Sequence, residues 1–496
     1  MDKLILAIDQ GTGGTKTVLF DTRGKVVATA SVPLPSDYPQ VGFVEQDPEE
    51  IYQNTLTSLR RCMQAAARSD TGVRERVAAV GISNQRETFL LWGEDGKALC
   101  KAVVWQCKRA VPICERLRGT RVEAEVRSRT GLIIDPYFSG AKLIWLLENE
   151  PLLRERVQSG RAHFGTVDAW ILFKLTGGRA YYTDYTNASR TLLFNIHNLA
   201  WDDVLIDAFG AGDLRLPEPV PSASHFGQSD FEGLFPAPVP ITGMIGDSHA
   251  AAFGQGCFRP GEAKATLGTG SSILCNIGPT PSTSKHGMVT TICWSTEART
   301  DYALEGIVVT CGATVKWLRD QLGLIVQSAD TESMALAVED NGGVYFLPAF
   351  SGMGAPHWKM DARAAIVGLT FGSNRNHIAR AALESVAFQI KDVIQAMQQD
   401  SGTPLFELKV DGGMTGNRFL MQLIADLLGV NVVTGGLEEV SALGAAYMAA
   451  LGSKMVESLA DLTDLPRNKI AFEPSESADR IQADYEIWQQ MIHKHC

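Results

Sequence analysis

The chain opens with short apolar runs separated by glycine-rich turns. Residues 4–8 form an apolar run that ends in a glycine-rich tip at 9–15, and a second run follows at 18–20. A turn at 21–24 then leads into a third run over 25–30. Apolar runs of this length, bounded by turn residues, are typical of strands. The pattern therefore predicts an opening three-stranded meander whose first turn is a glycine-rich tip.

The same strand, tip and strand pattern returns in the second half of the chain. Residues 263–267 lead through a glycine-threonine-glycine-serine segment at 268–271 into another apolar run that ends at 277. Self-similarity within one chain indicates a repeated structural unit. We therefore expect two related halves, each with a glycine tip, and a ligand between them.

The segments between these strands show the periodicity of helices. Asp47 and Pro48 begin a helix well, because an aspartate can cap the free amides of the first turn and proline suits the first helical position. Apolar residues three or four positions apart mark a longer amphipathic helix, at Leu383, Val386, Ile390, Val393 and Met397. A strand at 407–410 is followed by a glycine turn at 411–417 and another helix. Strands alternating with helices predict an α/β fold.

The length and composition indicate two globular domains. At 496 residues the chain is too long for one ordinary core, so we expect domains at 1–250 and 251–496. The formal net charge of -11 argues against a surface for nucleic acid or anionic lipid. No apolar stretch approaches a signal sequence or a membrane span, which predicts a cytoplasmic protein without membrane insertion. The nine cysteines form no CxxC pair and are expected to be free thiols.

The glycine tips are candidate phosphate sites. In the first tip, glycine lets the backbone approach an anion, while the amides and the hydroxyls of Thr12 and Thr15 can donate to phosphate oxygens. A plain hairpin turn would use the same residues. The repetition at 268–271 favours the phosphate interpretation. Gly412 and Gly413, after a strand and before a helix, add a third place where a nucleotide would meet bare backbone.

Charged residues at strand ends are candidates for catalysis and for substrate binding. Asp247 follows the apolar run at 240–245, where a carboxylate can accept a hydroxyl proton or hold metal-bound water; the alternative is a helix cap. Arg86 and Glu87 follow the strand at 76–83 and could bind neighbouring hydroxyls, or form a surface salt bridge. Trp105 ends the next strand and could pack on carbon-bound hydrogens.

Two longer patterns, at 137–146 and 364–384, resemble the signatures of the FGGY carbohydrate kinase family. Shorter segments are similar to those of family members that phosphorylate glycerol, at 84–88, 104–107, 134–140, 183–190 and 302–306. The resemblance covers nearly the whole chain. It implies two actin-like lobes of the ribonuclease H type, with Mg²⁺-ATP and glycerol or a similar small polyol meeting in the cleft between them, and an assembly of two or four copies.

The resemblance also implies roles for individual residues. Asp247 would be the general base, and Asp9 with Asp247 would organise Mg²⁺ through water. The polyol site would be lined by Arg86, Glu87, Trp105, Tyr137, Asp247 and Ser248. The nucleotide and its phosphates would be bordered by Thr12, Gly13, Gly14, Lys16, Thr269, Gly312, Lys316, Gly413 and Asn417.

Two positions depart from the resemblance. Ser248 stands where relatives that phosphorylate glycerol usually have glutamine, and Ser272 aligns with a phenylalanine that packs on glycerol. Both changes enlarge the polyol pocket, so a kinase for a longer polyol or a ketose is the first alternative. An actin-like or chaperone-like ATPase is the alternative from another class, although it gives no reason for Arg86, Glu87 and Trp105.

Overall fold

A computed structural model describes residues 3–359, 361–435, 439–463, 469–475 and 478–495. The first half of the chain contributes these strands: β1 (Leu4–Gly11), β2 (Gly14–Asp21), β3 (Val26–Pro33), β4 (Glu45–Gln46), β5 (Val77–Asn84), β6 (Phe89–Gly93), β7 (Ala102–Val103), β8 (Ala162–Thr166), β9 (Tyr182–Asp184), β10 (Phe194–Asn195), β11 (Ala200–Trp201), β12 (Glu218–Val220), β13 (Ala223–Ser229) and β14 (Val239–Gly246). Its main sheet has the order β13-β14-β5-β1-β2-β3. The predicted opening meander is confirmed.

The helices of the first half cover this sheet and build a smaller subdomain beside it. They are α1 (Pro48–Ala67), α2 (Val73–Arg76), α3 (Val111–Leu117), α4 (Arg121–Thr130), α5 (Ser139–Asn149), α6 (Pro151–Gln158), α7 (Val167–Leu175), α8 (Tyr185–Ala188), α9 (Asp203–Ala208) and α10 (Asp247–Gly254). Asp47 caps α1 as predicted, since its carboxylate accepts from the amides of Glu49 and Glu50 at 2.9 and 3.2 Å.

The second half repeats the plan. Its strands are β15 (Glu262–Leu267), β16 (Ser271–Gly278), β17 (Val289–Ser295), β18 (Thr300–Val308), β19 (Tyr345–Leu347), β20 (Ala365–Val367), β21 (Glu407–Asp411), β22 (Asn431–Thr434) and β23 (Ile470–Phe472). Its helices are α11 (Gly312–Asp320), α12 (Asp330–Leu336), α13 (Arg375–Ser401), α14 (Arg418–Leu428), α15 (Val440–Gly452), α16 (Leu459–Thr463) and α17 (Ala478–His495), with a 3₁₀ turn at Gly413–Gly416. None of the described helices is long and apolar enough to cross a bilayer.

The two main sheets share one pattern of strand directions. In the first, β1 pairs antiparallel with β2 and parallel with β5, and β5 pairs parallel with β14. In the second, β15 pairs antiparallel with β16 and parallel with β21, and β21 pairs parallel with β22. The second sheet has the order β17-β18-β16-β15-β21-β22-β23. The predicted duplication of the chain into two α/β lobes is confirmed.

Burial on both faces explains why β1 reads as a continuous apolar run. Leu4, Leu6 and Ile8 belong to the core under α1, whereas Ile5 and Ala7 belong to the core under α15. Successive side chains of a strand point to opposite faces, so a strand covered on both sides needs apolar residues at every position.

Two closely packed helices, α10 and α15, join the lobes. A Cβ added at Gly444 of α15 would lie 1.9 Å from the carbonyl oxygen of Ala250 in α10, so the two backbones touch. The hydroxyl of Thr242 in β14 also donates to the carbonyl of Ala449 at 2.8 Å. The chain thus returns from the second sheet to pack on the first. The boundary expected near residue 250 lies inside α10 and stays a prediction.

Candidate functional site

The carboxyl ends of three parallel strands bring the first lobe's candidate residues together. Asp9 of β1 pairs with Ser83 of β5, which also pairs with Ile245 of β14. The strands end at the same edge of the sheet, where β1 continues into the first glycine tip and β14 continues into α10. Ligands of open α/β sheets bind at this edge.

The first glycine tip is a tight hairpin tied into its surroundings. Gly11 pairs with Gly14, which leaves Thr12 and Gly13 as the turn. The indole Nε1 of Trp105 donates to the Thr12 hydroxyl at 2.9 Å. A Cβ at Gly14 would lie 2.6 Å from the carbonyl oxygen of Val32 in β3, whereas one at Gly13 would meet nothing within 4 Å. Gly13 is therefore open to a ligand, while Gly14 is required by strand packing.

Lys16 has a carboxylate partner. Its ammonium group lies 2.6 Å from Glu439 Oε2, at the start of α15. The sequence interpretation placed Lys16 with the nucleotide phosphates, but the ion pair that the structure shows links β2 to α15. Its phosphate role stays a prediction.

Asp9 is a buried carboxylate close to a second one. The Ser83 hydroxyl donates to Asp9 Oδ1 at 2.9 Å. Burial and, after it, the charge of Asp247 raise the pKa of Asp9 to about 7. No group of three or more His, Cys, Asp or Glu side chains among the described residues would hold a metal by itself. Two carboxylates suffice for Mg²⁺, which usually keeps several waters and takes phosphate oxygens as further ligands.

Asp247 begins α10 without capping it. The N-cap position belongs to Gly246, whose missing side chain caps nothing, and the Asp247 carboxylate accepts from the adjacent Ser248 amide at 2.6 Å. The carboxylate instead lies 3.4 Å from Nε of Arg86, and 40% of the Asp247 side chain is exposed. The helix-cap interpretation is therefore wrong. The position gives the substrate access to a carboxylate whose neighbour is a cation.

Arg86 and Glu87 are buried members of a charge network. Glu87 Oε1 accepts from Nε of Arg190 at 2.6 Å, and Arg190 Nη2 lies 2.7 Å from Glu305 Oε2. Arg86 Nη2 in turn donates to Glu305 Oε1 at 2.8 Å. Carboxylates and guanidinium groups thus alternate along the network, in the order Glu87, Arg190, Glu305, Arg86 and Asp247. The alternative of a surface salt bridge between Arg86 and Glu87 is wrong.

Glu305 joins the lobes through this network. It lies on β18 of the second sheet, whereas both arginines belong to the first half of the chain. Burial alone would raise the pKa of Glu305, but Arg190 and Arg86 hold it well below its usual range. The sequence interpretation assigned no role to Arg190 or Glu305, although both lie in segments that carry the family resemblance, at 183–190 and 302–306.

Two aromatic rings lie beside the network. Trp105 and Tyr137 meet edge to face with ring centroids 5.3 Å apart. The guanidinium carbon of Arg190 lies 5.8 Å from the centroid of the Tyr137 ring. An aromatic surface next to paired charges suits a small polyol, whose carbon skeleton is apolar and whose hydroxyls need hydrogen bonds.

A separate cavity of about 410 Å³ lies in the second lobe. All five residues expected to contact the nucleotide from this half line it, namely Thr269, Gly312, Lys316, Gly413 and Asn417. Asn417 also caps α14, since its side-chain oxygen accepts from the Leu420 amide at 2.9 Å. Asp247 does not line this cavity, so the nucleotide candidates of the second lobe lie apart from the proposed base.

Glycine keeps the loop beside this cavity close to the sheet. Gly412 has a φ of 99°, which other residues rarely adopt, and a Cβ there would lie 2.5 Å from the carbonyl oxygen of Leu267. At Gly413 a Cβ would meet nothing within 4 Å. Gly412 thus shapes the turn, and Gly413 leaves the cavity open.

Both halves of the chain are similar in sequence to known proteins. The model of the FGGY family of carbohydrate kinases matches as an N-terminal domain at residues 4–254 and as a C-terminal domain at 263–453. A relative named glycerol kinase from Symbiobacterium thermophilum is 46% identical over 99% of this chain and 98% of its own. Another of the same name, from Desulfitobacterium hafniense, is 46% identical over 99% of each chain.

A solved structure agrees with these relatives. The crystal structure of Plasmodium falciparum glycerol kinase with ADP superposes with a TM-score of 0.92 at 34% identity, and the match covers 100% of this chain and 98% of that one. The fold expected from the resemblance, two actin-like lobes, is confirmed. The family match and these relatives identify the chain as a kinase rather than an actin-like or chaperone-like ATPase. The chain belongs to the FGGY family of carbohydrate kinases.

Proposed function

We propose that the protein transfers the γ-phosphoryl group of Mg²⁺-ATP to a primary hydroxyl of glycerol, giving glycerol 3-phosphate. The observation that carries the proposal is the position of Asp247, which is a partly exposed carboxylate at the head of α10, 3.4 Å from Arg86. Relatives that cover almost the whole chain at 46% identity are named glycerol kinase. These two observations support both the reaction and the acceptor.

The charge network suits polyol binding. Arg86 can donate to one hydroxyl and Glu87 can accept from its neighbour, and both are held in place by hydrogen bonds of 2.8 and 2.6 Å to Glu305 and Arg190. Such preorganisation lowers the entropic cost of ordering the reacting hydroxyl. Trp105 and Tyr137 would cover the carbon skeleton on the other side.

Asp247 would act as the general base. As the hydroxyl oxygen forms its bond to the γ-phosphorus, Asp247 accepts the hydroxyl proton and ADP leaves with the electrons of the broken phosphorus–oxygen bond. Mg²⁺ held by Asp9 and Asp247 through water would supply charge neutralisation at the phosphates. The open backbone of Gly13 and the hydroxyls of Thr12 and Thr269 would bind the phosphate oxygens.

The cavity in the second lobe would take the rest of the nucleotide. Lys316 can pair with a phosphate, while the 3₁₀ turn that begins at Gly413 leaves room for a ribose or base against bare backbone. Lobe closure around both substrates would exclude water from the phosphoryl group. The assembly of two or four copies and the cytoplasmic location predicted from the sequence stay predictions.

The substitution Asp247→Asn tests the proposal. We expect it to reduce phosphoryl transfer to glycerol by at least about 100-fold, the usual contribution of a general base, while ATP still binds. ADP release measured with and without glycerol gives the rate, and calorimetry gives ATP affinity. The exposed Asp95→Asn variant is the matched control and should behave as wild type. Full transfer by Asp247→Asn would refute the assigned role.

A further inference from the structure

A pair of serines bridges the two lobes beside the proposed base. Ser248 lies on α10 of the first lobe and Ser272 on β16 of the second, and their hydroxyl oxygens are 3.1 Å apart. Both residues are partly exposed, whereas the residues that follow them, His249 and Ile273, are buried. The two hydroxyls therefore form a polar surface that faces the cleft.

Buried charges anchor both ends of this pair. The ammonium group of Lys264 donates to the Ser248 hydroxyl at 3.2 Å, and the Ser272 hydroxyl donates to Glu305 Oε1 at 3.2 Å. Lys264 and Glu305 are each about 1% exposed. A donor at one end and an acceptor at the other fix the orientation of both serine hydroxyls.

The serine pair adjoins the residues proposed to bind the polyol. Glu305 Oε1, which accepts from Ser272, also accepts from Arg86 at 2.8 Å. At the other end, the Ser248 amide donates to Asp247 Oδ1 at 2.6 Å. A polyol that presents one hydroxyl to Asp247 and another to Arg86 would thus have its next carbon near the two serines.

Both serines keep unused hydrogen-bonding capacity. A hydroxyl carries one donor and two acceptor lone pairs, so each serine can accept a further hydrogen bond without losing its present partner. Their side chains are also short and partly exposed, so a phenylalanine at either position would occupy volume that serine does not. Glycerol has three carbons and therefore lacks a fourth hydroxyl that could donate to these serines.

We propose that Ser248 and Ser272 form a subsite for one further hydroxymethyl group, which makes a four-carbon polyol the preferred acceptor. The inference rests on the proposed polyol phosphorylation and names the substrate class for the same site. One methylene in a fitted pocket changes catalytic efficiency by about 10- to 200-fold. We therefore expect kcat/KM to be at least about tenfold higher for erythritol or threitol than for glycerol.

Steady-state kinetics with glycerol, the two tetritols and a pentitol test this preference in the wild-type protein. The informative quantity in the variants is the ratio of kcat/KM for the better tetritol to kcat/KM for glycerol. Ser272→Ala and Ser248→Ala should each lower the ratio by about tenfold or more, since each removes a hydroxyl partner of the fourth carbon. Ser272→Phe should lower it further by filling the space. Ser159→Ala, an exposed serine in the first lobe, is the matched control and should leave the ratio unchanged.

The possible outcomes separate the two proposals. If glycerol is phosphorylated more efficiently than either tetritol, the subsite is refuted and the proposed function stands. If a pentitol exceeds both tetritols, the inferred chain length is wrong. If no polyol is phosphorylated although ATP binds, the proposed function itself fails. A tetritol preference that survives both alanine substitutions would overturn the role of the serines.

Discussion

Glu305→Gln probes the network that joins the lobes. Glu305 is fully buried and lies 2.8 Å from Nη2 of Arg86 and 2.7 Å from Nη2 of Arg190. Glutamine keeps the shape of the side chain but removes its charge. Among the described residues, Asp247 would remain as the ion-pair partner of Arg86 and Glu87 as that of Arg190.

The cost follows from this burial. Removing one partner of a buried ion pair typically destabilises a protein by about 3–5 kcal/mol, because the remaining charge stays desolvated. Arg86 and Arg190 each keep another carboxylate, at 3.4 and 2.6 Å, so we expect the lower end, about 3 kcal/mol. The KM for the polyol should also rise, since Arg86 loses the group that orients it.

Urea unfolding followed by tryptophan fluorescence measures this cost. The matched control is Glu148→Gln, which breaks an exposed pair with Arg116 and should cost at most about 1 kcal/mol. Because the pKa of Glu305 is held below its usual range, its contribution is complete above the unfolded-state pKa and declines only on acidification below it. The difference between wild type and Glu305→Gln should therefore be constant from pH 6 to 8. Equal stability of the two glutamine variants would refute the network's role.

Three further predictions concern other parts of the molecule. Gly444→Ala should lower the melting temperature by several degrees, because its Cβ would lie 1.9 Å from a carbonyl oxygen in α10; an unchanged thermal melt would contradict the close packing of the two helices. Lys316→Ala should raise the KM for ATP and leave the KM for the polyol nearly unchanged in steady-state kinetics. Burial and Asp247 raise the pKa of Asp9 from 3.8 to about 7, so in the absence of Mg²⁺ the folded protein keeps a proton on Asp9 that the unfolded chain loses. The free energy of unfolding should therefore fall by about 1.4 kcal/mol per pH unit as the pH rises through that range. Urea unfolding at several pH values should show this slope in the wild type and not in Asp9→Asn.

Local patterns predicted the elements that carry the site. The glycine tips, the Asp47 cap and the long helix α13 depend on residues close in sequence, and the structure contains all three. Asp247 could be proposed for the same reason, since an aspartate at the junction of an apolar strand and a helix is visible in the sequence.

The contacts between distant segments could not be predicted this way. Arg86 and Glu305 are 219 residues apart, and nothing in the local pattern around either one names the other. The return of α15 to the first sheet was also missed, because a helix rich in alanine shows no single apolar face that would indicate its partner. Only the folded chain shows that Lys16 pairs with Glu439.

Phosphorus NMR of the purified protein with glycerol and Mg²⁺-ATP tests the central claim most directly. We predict one phosphomonoester of glycerol for each ADP formed, and a loss of both signals in Asp247→Asn. ADP that accumulates with inorganic phosphate and without a glycerol ester would contradict the account, since it would make the protein an ATPase rather than a polyol kinase.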